Sequence, residues 1–243
     1  MDAASRELVI VVATYNEAEN IPVLIEGIRR QDVPAHLLVV DDNSPDGTGD
    51  LVEQLGEQTP GCVHLLRRSG KLGYASAIRA GMHWGIEHGY RVIMTMDADL
   101  SHDPDRIPDL YRGTADYDVM IGSRYVPGGG TRNWPLSRRV LSRTASMLAR
   151  LLAGLRAHDC TGGFRAYRAE IITRADMLHS RVEGYSFLVE SLFKCQRAGA
   201  AIGETPIIFA DRERGLSKIS KKIILEAGFV LLGLGWRRLA RRA

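Results

Sequence analysis

The carboxylates of Asp97 and Asp99 stand two residues apart at the end of an apolar run, Arg91-Val-Ile-Met-Thr-Met-Asp97-Ala98-Asp99-Leu100-Ser101. Carboxylate oxygens are hard ligands, and Mg²⁺ or Mn²⁺ bound through one or two of them keeps open positions for a substrate's phosphate oxygens. The same pair also suits ordinary turn chemistry at a strand end. Metal-assisted phosphate chemistry therefore depends on what surrounds it.

Apolar, β-branched runs recur at Glu7 to Ala13, His36 to Asp41, Cys62 to Leu66, Arg91 to Asp97 and Tyr117 to Gly122. Each reads as a buried parallel strand. Helix-like segments near Asn20 to Arg30, Thr48 to Glu57, Tyr74 to His88 and Asp105 to Arg112 alternate with them. This order predicts an α/β fold with a doubly wound, mostly parallel sheet and a ligand site at the carboxyl ends of its strands. Polar turn clusters follow the first four runs, among them Thr14-Tyr-Asn-Glu and Asp41-Asp-Asn-Ser-Pro-Asp-Gly. A nucleotide would bind there, with Asp41 or Asp42 accepting hydrogen bonds from ribose or base.

From Val126 onward the alternation breaks. In Leu136 to Leu155, Val140, Leu141, Thr144, Met147, Leu148, Leu151 and Leu155 form an apolar stripe, and Arg139, Arg143 and Arg150 form another face. Such a stripe packs on a core more often than it lies on a membrane, and both readings stand here. One further strand, Thr205 to Ala210, precedes a final apolar helix. The whole chain, 1–243, is expected to be one domain, with a nucleotide-binding half, 1–125, and a specialised second half, 126–243.

Composition narrows the classes. Three cysteines, Cys62, Cys160 and Cys195, lie far apart and suggest idle thiols in a reducing compartment. The N-terminus lacks a basic stretch followed by an apolar one, so no secretory signal is expected and a cytoplasmic location is. Ile223 to Trp236 falls short of the roughly 20 apolar residues a transmembrane helix needs. The formal charge is only +3, yet no acid follows Glu226 while Arg237, Arg238, Arg241 and Arg242 close the chain. That end suits anionic headgroups or simple solvation; no nucleic-acid partner is expected. The dinucleotide fingerprint, the P-loop, the Gly-x-Ser-x-Gly elbow and the His-Glu-x-x-His helix are all absent, which disfavours dehydrogenases, ATPases and the commonest hydrolases.

The runs Ala13-Thr-Tyr-Asn-Glu, Val39-Val-Asp-Asp-Asn-Ser-Pro-Asp-Gly-Thr, Met96-Asp-Ala-Asp-Leu-Ser-His and Gly122-Ser-Arg-Tyr resemble a family 2 glycosyltransferase with a GT-A fold. Trp134-Pro-Leu-Ser-Arg-Arg, Asp159-Cys-Thr-Gly-Gly-Phe-Arg-Ala-Tyr-Arg, Gly184-Tyr-Ser-Phe and Arg212-Glu-Arg-Gly-Leu-Ser-Lys narrow the resemblance to polyprenol-phosphate mannosyltransferases of the dolichyl-phosphate mannose synthase type. The resemblance implies transfer of mannose from GDP-mannose to a polyprenyl monophosphate, with inversion, at a membrane's cytoplasmic face. It implies that Asp97 and Asp99 hold Mg²⁺ or Mn²⁺, with Ser101 in the coordination zone where that family carries glutamine. Ala13, Tyr15, Glu17, Asp41, Asp42, Lys71, Asp97, Ala98 and Arg138 are then the donor-binding candidates. Ala13 departs from the family's usual proline there, a change in rigidity rather than chemistry.

Asp99, Arg124, Arg212 and Lys218 become the catalytic candidates, the cations screening repulsion between donor and acceptor phosphates. Glu190 reads as structural or orienting rather than obligatory, because an ionised phosphate needs no general base, and His102 as a turn residue or a support to the metal ligands rather than a ligand itself. The lipid acceptor predicts peripheral membrane docking through Leu136 to Leu155 and the C-terminal helix, alone or beside a membrane-embedded partner. Two rivals remain: a glucosyltransferase using UDP-glucose, and an inactive nucleotide-binding membrane adaptor.

Overall fold

The computed structural model describes residues 6–211 and 221–239, the side chains of 221–227 and 239 excepted. Five strands, β1 (Leu8–Thr14), β2 (Ala35–Asp41), β3 (Val63–Arg67), β4 (Val92–Asp97) and β5 (Val119–Ser123), alternate with α1 (Ile21–Arg29), α2 (Thr48–Gln58), α3 (Tyr74–Glu87) and α4 (Ile107–Gly113). Each of the five apolar runs expected as parallel strands is a strand, displaced by a residue or two at its ends. β1 shows why these segments lie flat in the middle of the molecule. Val9 and Val11 join a core with Ile78 and Met82 of α3, whereas Leu8, Ile10 and Val12 join another with Leu24 and Ile28 of α1. Alternate side chains enter opposite layers, so a two-faced strand must be apolar throughout. α3 comes so close that a Cβ at Gly81 would lie 2.2 Å from Val11 Cγ1.

With two later strands, β7 (Arg165–Arg168) and β8 (Ile202–Pro206), the main sheet has the order β3-β2-β1-β4-β7-β5-β8. β7 runs antiparallel between β4 and β5, and β8 pairs parallel with β5. The segment expected as one strand from Thr205 to Ala210 is two. β8 ends at Pro206, which has no N–H to give a ladder, and Ile207 turns its buried side chain inward. β9 (Ile208–Ala210) then leaves the sheet to pair with β6 (Gly130–Arg132).

α5 (Leu136–Ala153) stops two residues short of the expected end, where Gly154 adopts a left-handed φ of 70°. Apart from Leu155, which lies beyond the helix and is buried in the core, its stripe does not face the core. Ser146, Ala149 and Ala153 are the buried residues, whereas Leu136, Val140, Met147 and Leu151 are 75, 56, 52 and 65 % exposed. α6 (Ala169–Arg174) and α7 (Ser186–Arg197) complete the layer, and α8 (Lys221–Leu239) packs on α5 and α7. α8 buries Leu231 and Leu234 and exposes Phe229, Leu232 and Trp236. Among the described residues no helix is long and apolar enough to cross a membrane.

Candidate active site

Register sets Thr14 opposite Asp41 and Ala13 opposite Asp97, so the carboxyl ends of β2, β1 and β4 lie side by side. A left-handed residue follows each: Asn16 at φ 62°, Asn43 at 56° and Leu100 at 61°. Asparagine tolerates that conformation; leucine rarely adopts it, at a cost of about 1–3 kcal/mol. At Leu100 the turn lets Asp99 Oδ1 accept from Ser101 N at 3.1 Å and from Ser101 Oγ at 2.5 Å. Ser101 is 1 % exposed, and its hydroxyl proton is committed to Asp99.

The nucleotide edge is built from shared carboxylates. Asp41 accepts from Thr14 Oγ1 at 2.9 Å, Ser44 N at 3.0 Å and Ser44 Oγ at 2.5 Å. Asp42 accepts from Leu72 N and Gly73 N at 3.0 Å and ion-pairs with Arg68, which pins the loop after β3. That loop carries Lys71 Nζ to 3.9 Å from the centroid of the Tyr15 ring. Glu17 donates its N–H to Thr48 Oγ1 and accepts from Asn20 Nδ2 at 2.7 Å. The structure thus gathers Tyr15, Glu17, Asp41, Asp42 and Lys71 along one edge.

Beside them stand Asp97, Ala98 and Asp99. Among the described residues no cluster of three or more His, Cys, Asp or Glu side chains could hold a metal. An all-oxygen pair completed by phosphate and water is how Mg²⁺ is commonly held. The wall next to Asp97 is bare backbone: a Cβ at Gly163 would lie 3.6 Å from Asp97 Oδ1 and 2.8 Å from Tyr74 Oη. Thr95 Oγ1 holds that backbone by donating to Gly163 O at 2.6 Å. Donor chemistry and space both fit Mg²⁺ or Mn²⁺. His102, 1 % exposed, accepts the Asp97 N–H at Nδ1 and stacks on Phe164. Burial holds its pKa below the ordinary value, against the upward pull of Asp97 and Asp99. Tyr74, stacked on Tyr185, keeps its phenolic proton because burial and then Asp97 push its pKa well up.

Arg124 is 6 % exposed and held on both sides of its fork. Nε and one terminal nitrogen donate to the two Asp159 oxygens at 2.7 Å, and the same terminal nitrogen donates to Thr161 Oγ1 at 2.8 Å. Burial alone would raise the Asp159 carboxyl pKa, but the Arg124 guanidinium outweighs it and holds the group low. Arg124 lines a cleft of about 390 Å³ between the strand-end segment after β5 and the first turns of α5, with Tyr125, Leu136, Arg139, Val140 and Arg143. Phe209 links this cleft to the carboxylate pair, touching both His102 and Arg124. Arg138 pairs with Asp211 at 2.6 Å and lies 4.1 Å over the Trp134 ring. Arg212 and Lys218 lie outside the described residues.

Residues 9–174 match the family described as Glycosyl transferase family 2. The chain belongs to glycosyl transferase family 2. It is 41 % identical over 240 residues to the polyprenol monophosphomannose synthase of Mycolicibacterium smegmatis, covering 98 % of this chain and 91 % of that one. The undecaprenyl-phosphate mannosyltransferase of Micrococcus luteus is 43 % identical over 217 residues, 89 % of either chain. Among solved structures, glucosyl-3-phosphoglycerate synthase from Mycobacterium tuberculosis, in complex with Mn²⁺, UDP and its product, superimposes with a TM-score of 0.65 at 18 % identity. The alignment covers 95 % of this chain and 80 % of that one, and the shared fold is GT-A. The fold and the resemblance expected from the motifs are both borne out.

For a family 2 member, the partner of Arg124 is the main residue that sequence reasoning left unassigned. Asp159 opens a motif already singled out, yet nothing in a linear run shows that it meets an arginine 35 residues earlier. Glu204 extends the support, accepting from Asp159 N at 3.0 Å and His158 N at 2.7 Å. Glu190 lies away from the strand ends. It accepts from Ser180 Oγ and faces Arg237 of α8 at 3.8 Å.

Proposed function

We propose that this family 2 transferase moves mannose from GDP-mannose to a polyprenyl monophosphate with inversion, giving a polyprenyl phosphate β-mannose for glycan or glycolipid assembly. The observation that carries the reading is the cleft beside the carboxylate pair, where Arg124, Arg139 and Arg143 meet the apolar side chains Leu136 and Val140. A recess lined by arginines and apolar side chains together suits a phosphate attached to a long hydrocarbon. The names of the two curated relatives support the same acceptor class and mannose over glucose.

Asp97 and Asp99 would hold Mg²⁺ or Mn²⁺, which neutralises the departing nucleoside diphosphate when bound. Tyr15, Glu17, Asp41, Asp42 and Lys71 orient the nucleotide, with Ala13 and Ala98 at the strand ends beside them. Ser101 acts by bracing Asp99. Arg124 and Arg138, with Arg212 and Lys218 of the adjoining segment, screen the approach of one polyanion to another. The acceptor oxygen attacks the anomeric carbon in a single displacement, already ionised near pH 7 and in no need of a base.

The exposed apolar residues of α5 and α8, flanked by Arg139, Arg143 and Arg150, are read as a surface that rests in an anionic leaflet. The three free cysteines support the cytoplasmic face, and a membrane-embedded partner fits beside that surface. β7, which ties the later half of the chain into the centre of the sheet, supports reading 1–243 as one catalytic unit.

The test supplies the protein with Mg²⁺ or Mn²⁺, a short polyprenyl phosphate, and labelled GDP-mannose or UDP-glucose in parallel, followed by lipid extraction. Label from GDP-mannose alone is the expected result, and Asp99→Ala should abolish it. Label from UDP-glucose alone would replace the sugar, and none from either donor would leave the adaptor reading. Flotation with anionic liposomes checks the membrane surface, and a chain that stays with the soluble fraction would refute it.

A further inference from the structure

His102 sits behind the metal-binding carboxylates with one nitrogen engaged and the other waiting. Its Nδ1 accepts the Asp97 peptide N–H at 3.0 Å, so the lone pair is there and a neutral ring carries its proton on Nε2. Nε2 is buried without a hydrogen-bond partner among the described residues, and Asp97 Oδ2 is 3.9 Å away. That separation exceeds a hydrogen bond, and a buried donor left unmatched is rare because it is costly. The ring cannot turn to relieve it. Phe164 lies parallel at 4.9 Å and Phe209 meets it edge-on at 5.2 Å, and a flipped ring would forfeit the Asp97 N–H. The carboxylate is the mobile partner, since Asp97 is 23 % exposed and His102 only 1 %. Its two oxygens also have different neighbours: Oδ1 lies beside the bare Gly163 backbone, Oδ2 beside His102.

We infer that His102 is a positioning residue for the metal: Nε2–H donates to Asp97 Oδ2 once the carboxylate turns to bind a divalent cation, fixing its ligating orientation. The inference rests on the reading of Asp97 and Asp99 as metal ligands. It gives His102 no ligating role, because one nitrogen faces the backbone and the other bears a proton. Hydrogen-bonded partners of metal ligands of this kind change affinity by about 10–100-fold when removed.

The test uses the full chain and reads Mn²⁺ binding by calorimetry in the presence of GDP, with no turnover needed. His102→Asn offers an amide oxygen to the Asp97 N–H but nothing at the Nε2 position. His102→Gln reaches that position with an amide N–H. The expected result is Mn²⁺ affinity about 10–100-fold weaker in His102→Asn, partly recovered in His102→Gln, with unchanged thermal midpoints and unchanged metal-free GDP binding. Wild-type Mn²⁺ affinity in a folded His102→Asn would overturn the inference alone; no Mn²⁺ binding by the wild type would overturn the metal reading and this inference together. Nitrogen-15 spectra of the unmodified chain provide a check that survives misfolding of either variant. The His102 ring should be protonated at Nε2 only, and a proton on Nδ1 would refute the assignment.

Discussion

Arg124 and Asp159 illustrate how one residue can be both catalytic candidate and structural risk. Both are almost fully enclosed, so removing either charge strands the other, at about 3–5 kcal/mol. Asp159→Ala should therefore lower stability by that amount in chemical denaturation. The double variant Arg124→Met/Asp159→Asn, whose amide oxygen can still accept from the Thr161 and Gly162 N–H groups, should regain much of it while transfer stays lost, which separates the fold's need for neutrality from the reaction's need for a cation. A second residue-scale prediction concerns His36 and His64, near the amino ends of β2 and β3 and so at the opposite end of those strands from the site. Burial lowers both pKa values below 6.5, with Arg6 adding to it at His36 and the charge of His36 adding to it at His64. The folded state then binds fewer protons than the unfolded one, so stability is full above pH 6.5 and falls as pH drops through the lowered values. Thermal midpoints measured from pH 7.5 down to 5 should decline, and His64→Gln should flatten the decline. The chemistry-bearing residues on the nucleotide edge were legible because each follows an apolar strand directly. Arg124's partner was not, since ion pairing across a fold leaves no periodic trace.

At the scale of elements, the parallel strands announced themselves through unbroken apolar runs, whereas β7 did not. Ala166 enters one core layer and Tyr167 the other, but the equally buried Arg165 is held by hydrogen bonds to Leu188 O and Cys160 O rather than by apolar contact, so Arg165-Ala-Tyr-Arg carries no strand signal. α7 escaped for a related reason: Glu190 and Ser191 are buried along with its leucines and phenylalanines, which blurs any stripe. α5 was legible as a helix but not in orientation. An apolar stripe has the same period whether it meets a core or a bilayer, and here small Ser146, Ala149 and Ala153 take the inner face. Leu151→Glu follows from that inversion. At 65 % exposure the change should leave stability within about 0.5 kcal/mol. It should weaken partition onto anionic liposomes about 10–100-fold in flotation, the worth of one leucine side chain withdrawn from an apolar phase.

For the whole molecule, the proposed function assigns the water-soluble donor to the strand ends and the lipid acceptor to the α5–α8 face. Ligand linkage offers a global readout. GDP with Mn²⁺ at about 100 times its dissociation constant should stabilise the fold by about 2.7 kcal/mol, a rise of roughly 5–11 °C for a chain of this size. Asp99→Ala should show a smaller rise by scanning fluorimetry, because the nucleotide then binds without its cation. The place of β7 in the sheet also governs the molecule's earliest moments. β4 and β5 are made first, but the strand that joins them is Arg165–Arg168. Until Arg168 has been synthesised, the nascent chain carries two open strand edges in its middle, the kind of surface that pairs with neighbouring chains. Joining them requires closing a long loop, a slow step. Biosynthesis of this protein therefore passes through a vulnerable interval that ends only when an arginine-bearing strand slides between its older neighbours.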